Sequence, residues 1–91
     1  MDITNIKHNS VLQEFYLEDS GLKAYVKYQL KTLPTGPVCN FESTFVPNEW
    51  RGQGVAEALV RHSIHWGKEN GYDLRASCWY AAKFLRNSSS H

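Results

Sequence analysis

Val46-Pro47-Asn48-Glu49-Trp50-Arg51-Gly52-Gln53-Gly54-Val55-Ala56 joins two different periodicities. Before it, residues 39–46 alternate as a β-strand does; from Gly52 onward the apolar residues recur with helical spacing. Two glycines and an arginine therefore stand where a strand hands over to a helix N-terminus. Such a corner suits an anion. The first N–H groups of a helix lack intrahelical partners, the peptide dipole puts its positive end there, and glycines remove the side chains that would keep a phosphate away.

Downstream, the spacing predicts a helix over residues 52–70. At ~100° per residue, Val55, Leu59, Ser63 and Trp66 fall near one line flanked by Ala56 and Val60, while Glu57, Arg61, His65 and Lys68 gather opposite. Asn70-Gly71 reads as its C-cap. Residues 72–78 then return as a strand with Leu74, Ala76 and Cys78 on one face, and a strand-helix-strand crossover makes it parallel to the strand before the helix. Residues 79–86 read as a short helix, and 87–91 as a polar tail that frays.

Upstream, residues 38–46 form a strand preceded by a loop over 31–37, where two prolines and a glycine interrupt the pattern. Residues 22–30 alternate almost strictly, with Leu22, Ala24, Val26, Tyr28 and Leu30 on one face and Lys23, Tyr25, Lys27 and Gln29 on the other. Asp19-Ser20-Gly21 supplies a turn, and residues 11–17 the first strand. The expectation is an α/β (α+β) fold: a mostly antiparallel mixed sheet, one main helix and a short C-terminal helix.

A chain of 91 residues is expected to be one domain, 1–91, with a small core. Its 42% hydrophobic and 21% charged residues suit a globular protein, and a net charge of +1 gives no general attraction to nucleic acid or an anionic membrane. The first residues contain no apolar leader core and no window is long enough to span a bilayer, so an intracellular, cytoplasmic location is expected. Cys39 and Cys78 make neither a disulfide framework nor a zinc pair. His62 and His65 share a helix face without a third ligand, so no metal is expected; His8 and His91 fall near the termini. Lys23, Lys27 and Lys31 read as a solvated row, Trp50 as packing over the helix start, and Cys39 as a buried strand residue.

The phosphate corner has neither the Gly-Lys-Ser/Thr ending of a P-loop nor the third glycine and distal acid of a Rossmann fingerprint. Arg51-Gly52-Gln53-Gly54-Val55-Ala56 instead resembles the Arg/Gln-x-x-Gly-x-Gly/Ala segment of the GCN5-related N-acetyltransferases. Together with Ser43-Thr44-Phe45-Val46-Pro47 and with Ala76-Ser77-Cys78-Trp79-Tyr80 followed by Lys83, it is similar to the small single-domain, NATD1-like branch of that superfamily. The likeness runs over residues 41–85. One departure stands out: the branch carries His-Thr-Glu-Val-Pro where this chain has Ser43-Thr44-Phe45-Val46-Pro47, so a histidine and a glutamate able to handle protons are replaced.

The resemblance implies acetyl transfer from acetyl-coenzyme A to an amine by direct attack on the thioester. It assigns Arg51, Gly52, Gln53, Gly54, Val55 and Ala56 to the pyrophosphate, the Val46 backbone N–H to the carbonyl oxygen, Cys78 to the thiol end of the coenzyme, Tyr80 to the leaving sulfur as an acid, and Lys83 to the approach of pantetheine and phosphates. A catalytically weak coenzyme A-binding module is the alternative, favoured by Ser43 and Phe45. A plain interaction domain, whose glycines only make a turn, is a third reading. The acceptor amine and the oligomeric state stay open.

Overall fold

The computed structural model describes residues 2–89. One five-stranded sheet follows chain order, with β1 (Lys7–Asn9), β2 (Glu14–Asp19), β3 (Leu22–Leu33), β4 (Gly36–Phe45) and β5 (Asp73–Ala76). The first four strands are antiparallel neighbours, and β5 pairs parallel to β4 after the crossover helix α1 (Val55–Glu69). A second helix, α2 (Trp79–Ser89), follows β5 almost at once.

The turns explain the registers. Ser20 and Gly21 have φ of 53° and 78°, two successive left-handed residues, which is the geometry a two-residue hairpin needs to match strand twist. Residues 31–37, expected as a loop, are a hairpin instead: β3 runs on to Leu33, which pairs with Gly36, so only Pro34 and Thr35 form the connection. Pro37 is tolerated within β4 because strand alternation turns its nitrogen towards the β5 side, and β5 begins only at the level of Val38.

The first strand also differs from expectation. Val11 and Leu12 lie in a turn, 90% and 56% exposed, and Asn9 Oδ1 accepts both of their N–H groups at 3.0 Å, so β2 starts only at Glu14. The polar triplet Lys7-His8-Asn9 becomes β1, too short and too hydrophilic for its periodicity to show. His8 is thereby drawn from a presumed terminus into a cluster: its ring stacks on Phe15 at 4.1 Å, meets Trp66 edge-on and bonds the Tyr28 hydroxyl.

Ala24, Val26 and Tyr28 of β3 are buried against α1, which answers with Val55, Leu59, Val60, Ser63 and Ile64. Gly67 lets α1 approach β5, since a Cβ there would collide with Leu74. Gly71, at φ 76°, ends the helix as expected, with the Tyr72 N–H returning to the Gly67 carbonyl at 3.0 Å. The opposite sheet face carries the lysine row, where Lys23 meets the buried Glu14 carboxylate and lies over Tyr16, and Lys27 lies over Tyr25. At the C-terminus α2 extends past the expected residue 86 to Ser89; the end of the polar tail, including His91, falls outside the described residues. No helix among the described residues is long and apolar enough to cross a membrane.

Candidate functional site

The site begins where two parallel strands part. The last β4–β5 pair is Phe41 with Ala76, after which the Phe41 carbonyl accepts both the Ser77 and Cys78 N–H groups, at 3.0 and 3.2 Å, and the chain turns away into α2. Meanwhile β4 continues. An extra residue, Glu42, bulges it between the pairs Tyr28–Phe41 and Lys27–Ser43. The gap opens into two adjoining cavities of about 290 Å³ each, which share Val46, Arg51, Ala56 and Tyr80.

The first cavity is the glycine corner, completed by Trp50, Gly52, Gly54, Val55 and Glu57. After β4 a single 3-10 turn (Asn48–Trp50) buries Trp50, and the chain then reaches α1 through two left-handed glycines, Gly52 at φ 80° and Gly54 at φ 78°. The helix therefore starts at Val55 and not at Gly52. Gly54 occupies the N-cap position without a side chain to offer, so the first-turn N–H groups of α1 have no side-chain cap. A Cβ built on either glycine would meet nothing within 4 Å, so the space beside the uncapped turn is open. Arg51 is tied across the corner by its Nε, which donates to the Val46 carbonyl at 3.3 Å. This donor set fits a phosphate. The one opposing group is Glu57 in the first turn, which Arg61 engages at 2.9 Å.

The second cavity is lined by Thr44, Phe45, Cys78 and Trp79 in addition to the shared residues. Cys78 is not in a strand, as its alternation with Leu74 and Ala76 suggested; β5 stops at Ala76, and Cys78 caps α2, its carbonyl accepting the Ala82 N–H at 3.0 Å. The thiol is consequently surrounded by donors. Burial pushes its pKa up, but hydrogen bonds from the Ala81 N–H, the Thr44 hydroxyl and the Tyr80 and Thr44 N–H groups outweigh it and hold the thiol below its ordinary value. The Thr44 hydroxyl oxygen lies 3.7 Å from the sulfur. Tyr80 is shifted the other way, upward, by burial first and by the Glu57 carboxylate second, with Arg61 opposing. Its hydroxyl thus keeps its proton at neutral pH. Cys39, fully buried under the sheet, is pushed up to about 12 by desolvation and is inert packing.

A family model described as GCN5-related N-acetyl-transferase matches residues 14–91. This chain belongs to that family. Protein NATD1 of Bos taurus is 28% identical over 51 residues, covering 56% of this chain and 45% of that protein. Protein NATD1 of Homo sapiens is 26% identical over the same length. The chain thus matches about half the length of these curated relatives. An aminoglycoside acetyltransferase from an uncultured soil metagenomic sample, solved in complex with trehalose, superposes with a TM-score of 0.65 at 15% identity, over 85% of this chain and 56% of that one. An acetyltransferase from Vibrio fischeri does so at 0.54 and 15%, over 72% and 60%. These likenesses show the GCN5-related acetyltransferase fold, and the family is one of acyl transfer.

Within this acetyltransferase fold, the residues expected from sequence distribute unevenly. Val46, Arg51, Gly52, Gly54, Val55, Ala56, Cys78 and Tyr80 all line one or both cavities. Gln53 is not among the lining residues, and its amide donates to the Glu49 carbonyl at 3.1 Å, bracing the turn. Lys83 lies on the exposed side of α2 with Nζ over the Phe84 ring, outside both linings. Glu57 was not singled out in the sequence as a site residue, Thr44 and Trp79 were quoted only as parts of motifs, and Phe45 was noted only as standing where the branch carries a glutamate. The parity of β4 beyond the bulge was the available signal for Thr44, because it sets Thr44 and Val46 on the same strand edge, towards Cys78. None of the described histidines lines either cavity.

Proposed function

We propose that this chain transfers an acetyl group from acetyl-coenzyme A to an amine. The observation that carries the reading is the continuity of the two cavities: an uncapped helix N-terminus beside two open glycines leads directly into the gap between β4 and β5 where Cys78 and Tyr80 stand. Arg51, Gly52, Gly54 and the first-turn N–H groups of Val55 and Ala56 would hold the pyrophosphate. Bound acetyl-coenzyme A supplies an activated carbonyl and a good sulfur leaving group.

The chain's own residues do the rest. The Cys78 sulfur lies 3.7 Å from the Thr44 hydroxyl oxygen, and the backbone N–H of Val46, a residue that lines both cavities, would stabilise negative charge developing on a carbonyl oxygen. Tyr80, kept protonated, carries a proton that a departing thiolate can take. Cys78 lines the thiol end of the gap. Direct transfer needs no acyl-cysteine, and none of the described histidines lines the cavity with Cys78 to support one.

Calorimetry with coenzyme A tests the binding half. Gly54→Asn keeps a residue tolerant of positive φ while placing a side chain in the open space, and should weaken binding about tenfold or more, about 1.4 kcal/mol. Undiminished affinity in a folded variant would remove the proposal. A second reading, a coenzyme A-binding module without turnover, is favoured by Ser43 and Phe45, which stand where the branch carries a histidine and a glutamate. Thiol release from acetyl-coenzyme A in the presence of amines separates the two.

A further inference from the structure

The second cavity draws its lining from both faces of the sheet. Thr44 pairs with Val26 on the helix-covered face of the sheet, whereas Phe45 pairs with Tyr25 on the opposite face, yet both line the same space. The cavity therefore passes through the gap between β4 and β5. On one side it adjoins the glycine corner and its phosphate donors, and its lining also includes the exposed rings of Phe45 and Trp79, 45% and 76% exposed.

Both rings are braced. Phe45 stacks on Tyr25 at 5.6 Å with an interplanar angle of 30°, and Trp79 meets Tyr80 edge-on at 5.9 Å. Aromatic side chains have few rotatable bonds and take up flat apolar groups at low entropic cost. Among the described residues the lining holds no aspartate or glutamate, and its one permanently charged residue is Arg51, a cation. An ammonium ion entering here would meet a like charge and no carboxylate. Its two acidic groups are the Tyr80 hydroxyl, which keeps its proton at neutral pH, and the Cys78 thiol, whose thiolate is already compensated by hydrogen bonds. None of the described imidazoles lines the space to take a proton from a strongly basic amine.

Building on the acetyl-transfer reading, we propose that the acceptor is a weakly basic aromatic amine, uncharged at neutral pH, whose ring lies between Phe45 and Trp79 and whose nitrogen points at the gap beside Cys78. These two aromatics are then the specificity-determining residues. The step balances without a further reactant. The neutral nitrogen lone pair forms the C–N bond, the C–S bond breaks, and the proton lost from nitrogen ends on the coenzyme thiol, passing through Tyr80 or solvent.

The test measures thiol release from acetyl-coenzyme A at pH 7 with aniline, 1-aminobutane and spermidine as acceptors. The Trp79 indole N–H signal is followed by NMR during aniline titration. Coenzyme A affinity is measured in parallel. Aniline should be the preferred acceptor and should shift the Trp79 signal. Phe45→Glu, at an exposed position, should lower kcat/KM for aniline about tenfold or more and raise it for 1-aminobutane. Preference of the wild-type protein for spermidine or 1-aminobutane would overturn this proposal while leaving acetyl transfer intact. An unshifted Trp79 signal, or an aniline rate untouched by Phe45→Glu, would overturn it as well. Failure to bind coenzyme A would instead remove the reading beneath it.

Discussion

Cys78 illustrates how a residue changes meaning when one strand is two residues shorter than its pattern. As the end of an alternating run it reads as packing; as the cap of α2 it receives two N–H groups of the first helical turn and faces the positive end of the helix dipole. Its reactivity is measurable. Alkylation by iodoacetamide should occur at Cys78 with a midpoint below the 9.0 of an unperturbed thiol, while Cys39 stays unmodified in the folded protein. Thr44→Val removes one of the stabilising donors and should move that midpoint up. A midpoint at or above 9.0 in the wild type would show that burial wins over the hydrogen bonds. A second titration concerns His8, held below its usual 6.5 by partial burial first and by the nearby His62 second. A base with a depressed folded pKa binds its proton more readily when unfolded. The stability it contributes is therefore full above 6.5 and is lost as pH falls through the lower, folded value. Denaturant midpoints should fall on acidification below 6.5, and His8→Asn should flatten that slope; an unchanged slope would discount His8.

Among the elements, α1 is the one whose ends matter most. Its apolar face, its C-cap at Gly71 and its place across the sheet were legible because a 15-residue amphipathic helix repeats its signal several times over. Its start was not, because Gly52 and Gly54 bring no periodicity and only their positive φ shows that the helix waits until Val55. The antiparallel β3 was legible for the same reason as α1, by repetition; β1, three polar residues long, repeated nothing. The phosphate corner was readable locally, whereas the other half of the site, Thr44 and Phe45 facing Cys78 and Trp79, depends on where a parallel strand ends. The dipole of α1 also makes a prediction. Glu57 sits in its first turn facing the same cavity as Gly54, so Glu57→Gln should tighten coenzyme A binding by about 0.3–1 kcal/mol, roughly two- to fivefold. Weaker binding would mean that Glu57 serves the ligand through its pairing with Arg61.

At the scale of the whole molecule, a small sheet covered by helices on one face depends on a few large residues. Phe15 is 1% exposed and touches His8, Tyr28, His62 and Trp66, joining β1, β2, β3 and α1 in one aromatic cluster. Phe15→Ala should cost about 3–5 kcal/mol in chemical denaturation, a large part of the about 5–15 kcal/mol that holds a domain together. A loss below 1.4 kcal/mol, ~tenfold in the folding equilibrium, would show that the neighbouring rings close over the void.

The order of the sheet bears on how the molecule assembles. Strands β1 to β4 are joined to their neighbours by short turns, so their pairing involves mostly contacts close in sequence and closes only small loops. The β4–β5 pair is different, because the whole of α1 must be threaded between its two strands before a single bond of that ladder forms. The second cavity takes Thr44 and Phe45 from one side of that crossover and Cys78 and Trp79 from the other. The meander can therefore exist without a binding site, and coenzyme binding should appear as the last event of refolding, later than the recovery of sheet signal.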